Sequence, residues 1–296
     1  MAKIIAVGIA TLDIINTVDR YPTEDSEIRA LSQQKTRGGN ATNTLAVLSQ
    51  LGHQCHWAGV LVDETDSQRI RNDLAKYHID THACQQVKNG KMPTSYITLD
   101  QQTGSRTIVH FRDCPEYSFD HFKTLNLSDY DWIHFEGRNI HETQRMLQHL
   151  KQRHPDIPCS VEIEKQRPDI STLFNLPDVL LFSKDYVLST GKNDPADFLI
   201  NLNKPNNTIA TCTWGSRGAW LIDSSNILHH NAPTHENPII DTLAAGDTFN
   251  AGLIHSLVMK KPHQQAINYA VQLAHHKCQQ LGLSDLTVSF QYKQEE

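Results

Sequence analysis

The sequence has no C-x-x-C pair. Its six cysteines, at 55, 84, 114, 159, 212 and 278, are scattered singly, so neither a zinc knuckle nor a disulfide framework is suggested. Reduced thiols in a cytoplasmic protein are the expectation. A hydrophobic run of membrane-spanning length is also missing. The stretch KIIAVGIATLDII is interrupted by Asp13, and Ile4 to Gly8 read as a buried first strand rather than a leader. Positive charge is in short supply, with 27 Lys and Arg against 33 Asp and Glu for a net charge of -6, which argues against a nucleic-acid partner. No G-x-G-x-x-G follows the first strand and no G-x-x-x-x-G-K-[ST] occurs, which disfavours a nicotinamide dehydrogenase and a Walker-type ATPase. Histidine is abundant, at 17, and His229, His230 and His235 lie close together. Without a ligand helix such as H-E-x-x-H, they read as a solvated loop rather than a metal site.

What is present fits one α/β domain with a small appendage: 296 residues, 39% apolar and 20% charged. Lys3 to Ala10 form a short apolar run, with Asp13 just beyond its C-terminal end, where ligand sites in open α/β sheets lie. Asp13 either binds a polar substrate or caps a turn. Residues 14–37 are less regular, with a strand expected at Ile28 to Ser32. Arg37-Gly38-Gly39-Asn40-Ala41-Thr42-Asn43 then opens a helix whose Leu45, Leu48 and Leu51 recur at helical spacing and which ends at Gly52. The paired glycines permit close backbone approach, and Asn40 and Asn43 at i, i+3 can turn both amides toward one ligand. A strand at Cys55 to Val60 and a helix over Asp66 to Tyr77 follow. The alternating segments Ser95 to Asp100 and Arg106 to Phe111, separated by a Gly104-bearing turn, read as a hairpin. The inserts 14–37 and 93–113 are expected to pair into a small β lid, leaving 1–13, 38–92 and 114–296 as the α/β domain.

From Asp131 the alternation resumes, with strands at Trp132 to Phe135, Cys159 to Ile163, Val179 to Phe182, Ile209 to Cys212 and Ala219 to Ile222. Helices are expected at Ile140 to His154 and His263 to Leu281. Repeated βα units argue for a central, mainly parallel sheet covered on both faces. Glu136, Arg138 and Asn139 follow one strand, and Glu162, Glu164 and Lys165 lie at the edge of another; function and an ion-paired rim both explain them. Gly215, Ser216, Arg217 and Gly218 make a turn whose backbone could lie against phosphates or an adenine ring, or simply close a hairpin.

The stretch Asp241 to Gly252, DTLAAGDTFNAG, carries the chemistry. Small residues lead into a helix whose first N–H groups, at Ala245, Gly246 and Asp247, lack intrahelical partners and face the positive end of the helix dipole. A carboxylate beside such an anion hole repels phosphate unless it takes a proton from an attacking hydroxyl. This points to phosphoryl transfer with Asp247 as general base.

These segments together resemble the ribokinase-like carbohydrate kinases. The N-terminal signature of that family is matched by RGGNATNTLAVLSQLG at 37–52 and its C-terminal signature by DTLAAGDTFNAG at 241–252. Between them TVDRYPTEDSEIRALSQ, GSRTI, WIHFEGRN, SVEIEK and FSKD look most like the ketohexokinase (fructokinase) branch. The resemblance implies a three-layer, Rossmann-like α/β domain with a small β-sheet lid, and a homodimer formed by crossing lids. It implies that Asp13, Asp25, Gly39, Asn40 and Asn43 hold sugar hydroxyls and that Arg106 reaches the phosphates. Ala244, Ala245, Gly246 and Asp247 would form the catalytic turn, and Gly215 to Gly218 with the segment from Val271 to Cys278 would line the ATP site. Magnesium would bridge the phosphates, held largely through water, and potassium is implied near the Asp241 loop. The implied reaction is ATP-dependent phosphorylation of a ketohexose, fructose to fructose 1-phosphate. Other acceptors known in the family, such as the fructose 6-hydroxyl, ribose or a keto-deoxy sugar, and a non-catalytic sensor, are the alternatives. One departure is visible: the usual G-A-G-D reads Ala244-Ala245-Gly246-Asp247, which is harmless if residue 244 has negative φ and impairing if it does not.

Overall fold

The computed structural model describes residues 1–224, 226–233 and 238–292. Its strands are β1 (Lys3–Val7), β2 (Thr11–Val18), β3 (Ser32–Gly38), β4 (Gln54–Ala58), β5 (Val60–Val62), β6 (Gln85–Val87) and β7 (Lys91–Asp100). These are followed by β8 (Arg106–Asp113), β9 (Trp132–Glu136), β10 (Cys159–Ile163), β11 (Val179–Phe182), β12 (Ile209–Thr213), β13 (Ala219–Ile222) and β14 (Ile227–His230). The helices are α1 (Asn40–Gln50), α2 (Thr65–Lys76), α3 (Phe119–Phe122), α4 (Ile140–Arg153), α5 (Lys184–Ser189), α6 (Pro195–Ile200), α7 (Ala245–Val258) and α8 (His263–Cys278).

Eight strands form the central sheet in the order β14-β13-β12-β11-β10-β9-β1-β4, parallel from β4 to β12 and antiparallel at β13 and β14. Apolar residues on alternate positions send side chains to opposite faces, so Ile4 and Ala6 join one core while Ile5 and Val7 join the other. The first core packs under α1, α7 and α8 through Leu45, Phe249 and Ile267; the second packs under α4 to α6 through Leu147, Val187 and Phe198. This is the three-layer arrangement expected. β4 and β9 flank β1 on opposite sides, so the strand order reverses there and a crevice opens above the carboxyl ends of β1 and β9.

A second sheet, in the order β3-β2-β7-β8, stands over that crevice. Along β8, Arg106, Ile108 and His110 alternate toward the cavity. Thr107, Val109 and Phe111 are consequently turned outward. Two sequence expectations change here. The strand expected at Ile28 to Ser32 begins at Ser32 instead, because the polar run SQQKTRG, not the more apolar residues before it, pairs antiparallel with β2. Asp13 belongs to β2, opposite Thr36 and Ser95, rather than to a turn beyond β1.

No helix among the described residues is long and apolar enough to cross a membrane. His229 and His230 lie in β14 rather than in a solvated loop: the His229 ring stacks on Trp220 at 3.9 Å, and His230 is buried. His235 lies outside the described residues.

Candidate active site

The crevice is a cavity of about 760 Å³, bounded below by the carboxyl ends of the parallel strands, at one side by α7 and above by the second sheet. Asp13, Gly39, Asn40, Asn43, Arg106 and the Ala244 to Asp247 turn all line it. A neighbouring cleft of about 390 Å³ is lined by Gly215, Ser216, Gly218, Val271 and Cys278. The two meet at Thr213, Thr242, Ala245 and Gly246, so a molecule in the cleft can reach the cavity past the start of α7.

Three of the candidate site residues, Asp25, Arg217 and Asn139, are absent from both linings. Asp25 sits exposed in the excursion between β2 and β3, with φ of 57°. Arg217 turns its guanidinium over Trp220, 5.0 Å from the ring centroid, and toward Asp194 at 3.9 Å. Asn139 begins α4 in the left-handed region and does not line the cavity, whereas Glu136 and Arg138 do.

The glycine pair earns its place sterically. A Cβ at Gly38 would overlap the Asp13 carboxylate, and one at Gly39, whose φ is 107°, would overlap the Ile9 carbonyl. Only glycine lets the turn after β1 approach the start of α1 this closely.

At the start of α7 fewer N–H groups lack a partner than the sequence suggests. Ala245 N–H donates to the Thr242 carbonyl at 3.3 Å, whereas Gly246 and Asp247 N–H find no acceptor among the described residues. A Cβ placed on Gly246 would meet nothing within 4 Å, so this turn faces open space. Ala244 has φ of 61° and ψ of 15°. It is the strained alternative for the residue that replaces the family glycine, at about 1 to 2 kcal/mol for a side chain in the left-handed region. Thr248 offsets part of this cost: both its N–H, at 2.9 Å, and its hydroxyl, at 2.8 Å, donate to the Ala244 carbonyl.

Asp247 is buried, and burial pushes its carboxyl up to about 7, with the charges of Glu164 and Glu136 adding to the rise. A hydrogen bond from Asn43 Nδ2 to Asp247 Oδ2, at 2.8 Å, and the positive charge of Arg37 oppose it. Arg37 escaped the sequence reading except as the first letter of a motif. Its side chain is buried, its Nη1 donates to Asn43 Oδ1 at 2.8 Å and to Thr42 Oγ1 at 2.7 Å, and its Nε donates to Asp73 at 2.7 Å. Because a guanidinium only donates, the Asn43 oxygen must face it, which turns the amide NH₂ toward Asp247. Both ends of the Asn43 amide are therefore engaged within the protein.

Four carboxylates, Glu136, Glu162, Glu164 and Asp247, share this wall. Burial raises Glu162 well above its ordinary range, and the charges of Asp247, Glu136 and Glu164 raise it further. Glu162 Oε1 accepts from Asn250 Nδ2 at 3.0 Å, and Glu136 Oε2 accepts from Ile9 N–H at 2.9 Å. Burial likewise raises Asp13, against hydrogen bonds from Thr11 and Ser95. The oxygen-rich wall suits a hard divalent cation better than a bare phosphate.

At the Asp241 loop the residues do not fit potassium. Lys277, fully buried, brings its ammonium to the Asp241 carbonyl at 2.9 Å and to Oδ2 at 2.6 Å. Leu243 N–H donates to Oδ1 at 2.8 Å and Gly282 N–H to Oδ2 at 3.2 Å. The acceptors a monovalent cation would need are already taken by a built-in positive charge.

A mainly parallel α/β sheet with a helix start, a buried acid of raised pKa and a lidded cavity at the strand ends defines a phosphotransferase-type site. Residues 1–288 match the model of the pfkB family of carbohydrate kinases, and the chain belongs to that family: it is a sugar kinase that uses ATP. It is similar to ketohexokinase from Mus musculus, 35% identical over 285 residues that span 93% of this chain and 96% of that protein. It is also similar to the fructosamine kinase FrlD of Bacillus subtilis, 25% identical over 93% of this chain and 90% of that one. Among solved structures, ribokinase from Giardia lamblia superposes with a TM-score of 0.83 at 17% identity, covering 97% of both chains.

Proposed function

We propose that the chain transfers the γ-phosphate of ATP to the 1-hydroxyl of a ketohexose, fructose being converted to fructose 1-phosphate. The observation that carries this reading is the buried Asp247 carboxylate of raised pKa beside the unpartnered N–H groups of Gly246 and Asp247. Ketohexokinase as a relative at 35% identity favours a ketose acceptor within the family.

In this reading the adenine and ribose lie in the cleft beside Gly215, Ser216, Gly218, Val271 and Cys278, and the phosphates point past Gly246. The sugar lies under the small sheet, with Asp13 and Asn40 accepting and donating hydrogen bonds to its hydroxyls. Asp247 removes the proton of the accepting hydroxyl as its oxygen bonds the γ-phosphorus and the bond to the β-phosphate oxygen breaks. The Gly246 and Asp247 N–H groups stabilise the transferring oxygens, and Arg106 adds positive charge from the lid. Magnesium would neutralise charge across the phosphates; Glu162 and Glu164 are the carboxylates placed to hold it through water. Without such a cation their charge would oppose phosphate binding. The outward face of the second sheet, with Tyr96, Val109 and Phe111 exposed, is covered in this reading by a second copy of the chain. Unpaired cysteines throughout fit a cytoplasmic setting.

An ADP-release screen over ketoses, aldoses, nucleosides and keto acids tests the acceptor, with phosphorus NMR giving the position of the new ester. Turnover is expected to be best with a ketohexose, giving the 1-phosphate. Good turnover with another class and none with any ketose overturns the assignment.

A further inference from the structure

On the edge strand β4, away from the kinase site, His56 poses a problem of its own. It is only 4% exposed, yet neither ring nitrogen has a hydrogen-bond partner. A buried polar ring left this way costs stability, because its nitrogens give up water and gain nothing in exchange. Packing alone does not account for it. The ring meets Tyr130 and His82 edge-on, at centroid distances of 5.3 and 5.1 Å, and neither contact supplies a donor or an acceptor to its nitrogens.

The chain returning from α2 passes beside this histidine. Asp80 N–H donates to the Cys55 carbonyl at 2.9 Å and Trp57 N–H donates to the Asp80 carbonyl at 2.8 Å, setting Asp80 parallel to and level with His56. Level residues of paired extended segments share a face; His82 follows in a tight turn, closed by Cys84 N–H donating to the Thr81 carbonyl at 3.1 Å, that brings its ring against His56. Asp80 Oδ1 and His82 Nδ1 are 2.6 Å apart, and one ligand atom from each of His56, Asp80 and His82 falls within 4.8 Å of the others. Asp80 and His82 are each about half exposed, and His82 N–H donates to Asp80 Oδ1 at 2.6 Å, which holds the carboxylate and the imidazole together beside the buried His56. Lys3, the nearby cation, is drawn off by Asp129 at 3.8 Å and by the Tyr130 ring.

We infer that His56, Asp80 and His82 form a binding site for a divalent transition-metal ion of the zinc class. Two imidazoles and one carboxylate are the donors that suit zinc, at bond lengths of about 2.0 to 2.2 Å, with water completing the coordination. None of the three residues lines the kinase cavity or the adjoining cleft. The ion would tie the segment after α2 to the edge of the central sheet, and it would satisfy the nitrogen that folding leaves bare.

The test is calorimetric titration of zinc chloride into chelator-treated protein, with thermal melts alongside, for the wild type, His82→Ala and His56→Phe. The wild type is expected to bind one zinc per chain and to melt higher with zinc than without. Each substitution should weaken that binding by about tenfold or more. His56→Phe keeps a ring against Tyr130 and removes the unpartnered nitrogens, so without zinc it should melt at or above the wild type. His82→Ala and Asp80→Asn, at exposed positions, carry the test should His56→Phe not fold. No binding of one zinc per chain overturns the site, and so does binding that persists undiminished in these variants, since the ion then sits elsewhere.

Discussion

Asn43 and Asp247, 204 residues apart in the chain, are joined by a hydrogen bond of 2.8 Å from the Asn43 amide to the Asp247 carboxylate. This contact links the two signature segments directly. It makes Asn43 a positioning residue for the proposed base, with Arg37 fixing the orientation of its amide.

Asn43→Ala removes a donor that favours the charged carboxylate, so the Asp247 pKa should rise further. A base with a higher pKa is protonated to higher pH. The acid limb of the kcat/KM profile should therefore move upward in pH, with activity at pH 7 reduced by about tenfold or more. A residue that only contacted sugar would raise KM and leave the limb where it is; pH–rate profiles of the two proteins separate these outcomes.

Glu162 is a carboxyl whose folded-state pKa is raised, mainly by burial. Below its unfolded value both states hold the proton and nothing is lost; as pH climbs above that value the folded state is increasingly penalised. Glu162→Gln should therefore raise Tm at pH 7 to 8 by about 2 to 4 °C for each kcal/mol recovered. The gain should shrink toward zero near pH 4. Thermal melts across this range check the sign, and an unchanged Tm difference at all pH values would count against it.

Ala244→Gly relieves a left-handed alanine at the head of α7. Relief of about 1 to 2 kcal/mol is partly offset by the greater freedom of glycine in the unfolded chain, about 0.4 to 1 kcal/mol. A net gain between zero and about 1.6 kcal/mol is expected in denaturant unfolding, with activity retained or improved. Loss of activity would mean that the methyl group contributes to the site.

Lys277 supplies the cation at the Asp241 loop. Wild-type turnover should accordingly be the same in potassium chloride as in choline chloride. Lys277→Met leaves Asp241 without its counter-charge, a loss on the order of 3 to 5 kcal/mol for a broken buried pair. Its turnover should fall and should recover in part with potassium. A wild type that depends strongly on potassium would show that Lys277 does not replace the cation.

The central strands were legible because they are short and buried on both faces: Val179 to Phe182, VLLF, admits little else. The polar strand SQQKTRG was not, since five of its seven residues are exposed and no apolar alternation marks it. The small-residue turn before α7 and the glycine pair could be read because the backbone features that mark them are local. Lys277 and the pairing of His56 with Asp80 and His82 could not, because they join residues far apart in the chain, and Arg37 could not because the direction of its side chain toward Asn43 and Asp73 is set by the fold. Backbone conformation is equally hidden: whether Ala244 would be relaxed or strained depended on a φ that its neighbours in sequence do not determine. Asp25 shows the converse, a residue implied by resemblance that here sits exposed outside the cavity.

Whether Asp247 takes the proton of the sugar hydroxyl is read from steady-state ADP release by Asp247→Asn with fructose and ATP. The amide keeps the shape of the side chain and cannot take the proton. With Asp247 as the base, kcat should fall by about 10² to 10⁴, with fructose and ATP still binding near wild-type affinity. Turnover within a few-fold of the wild type would contradict it.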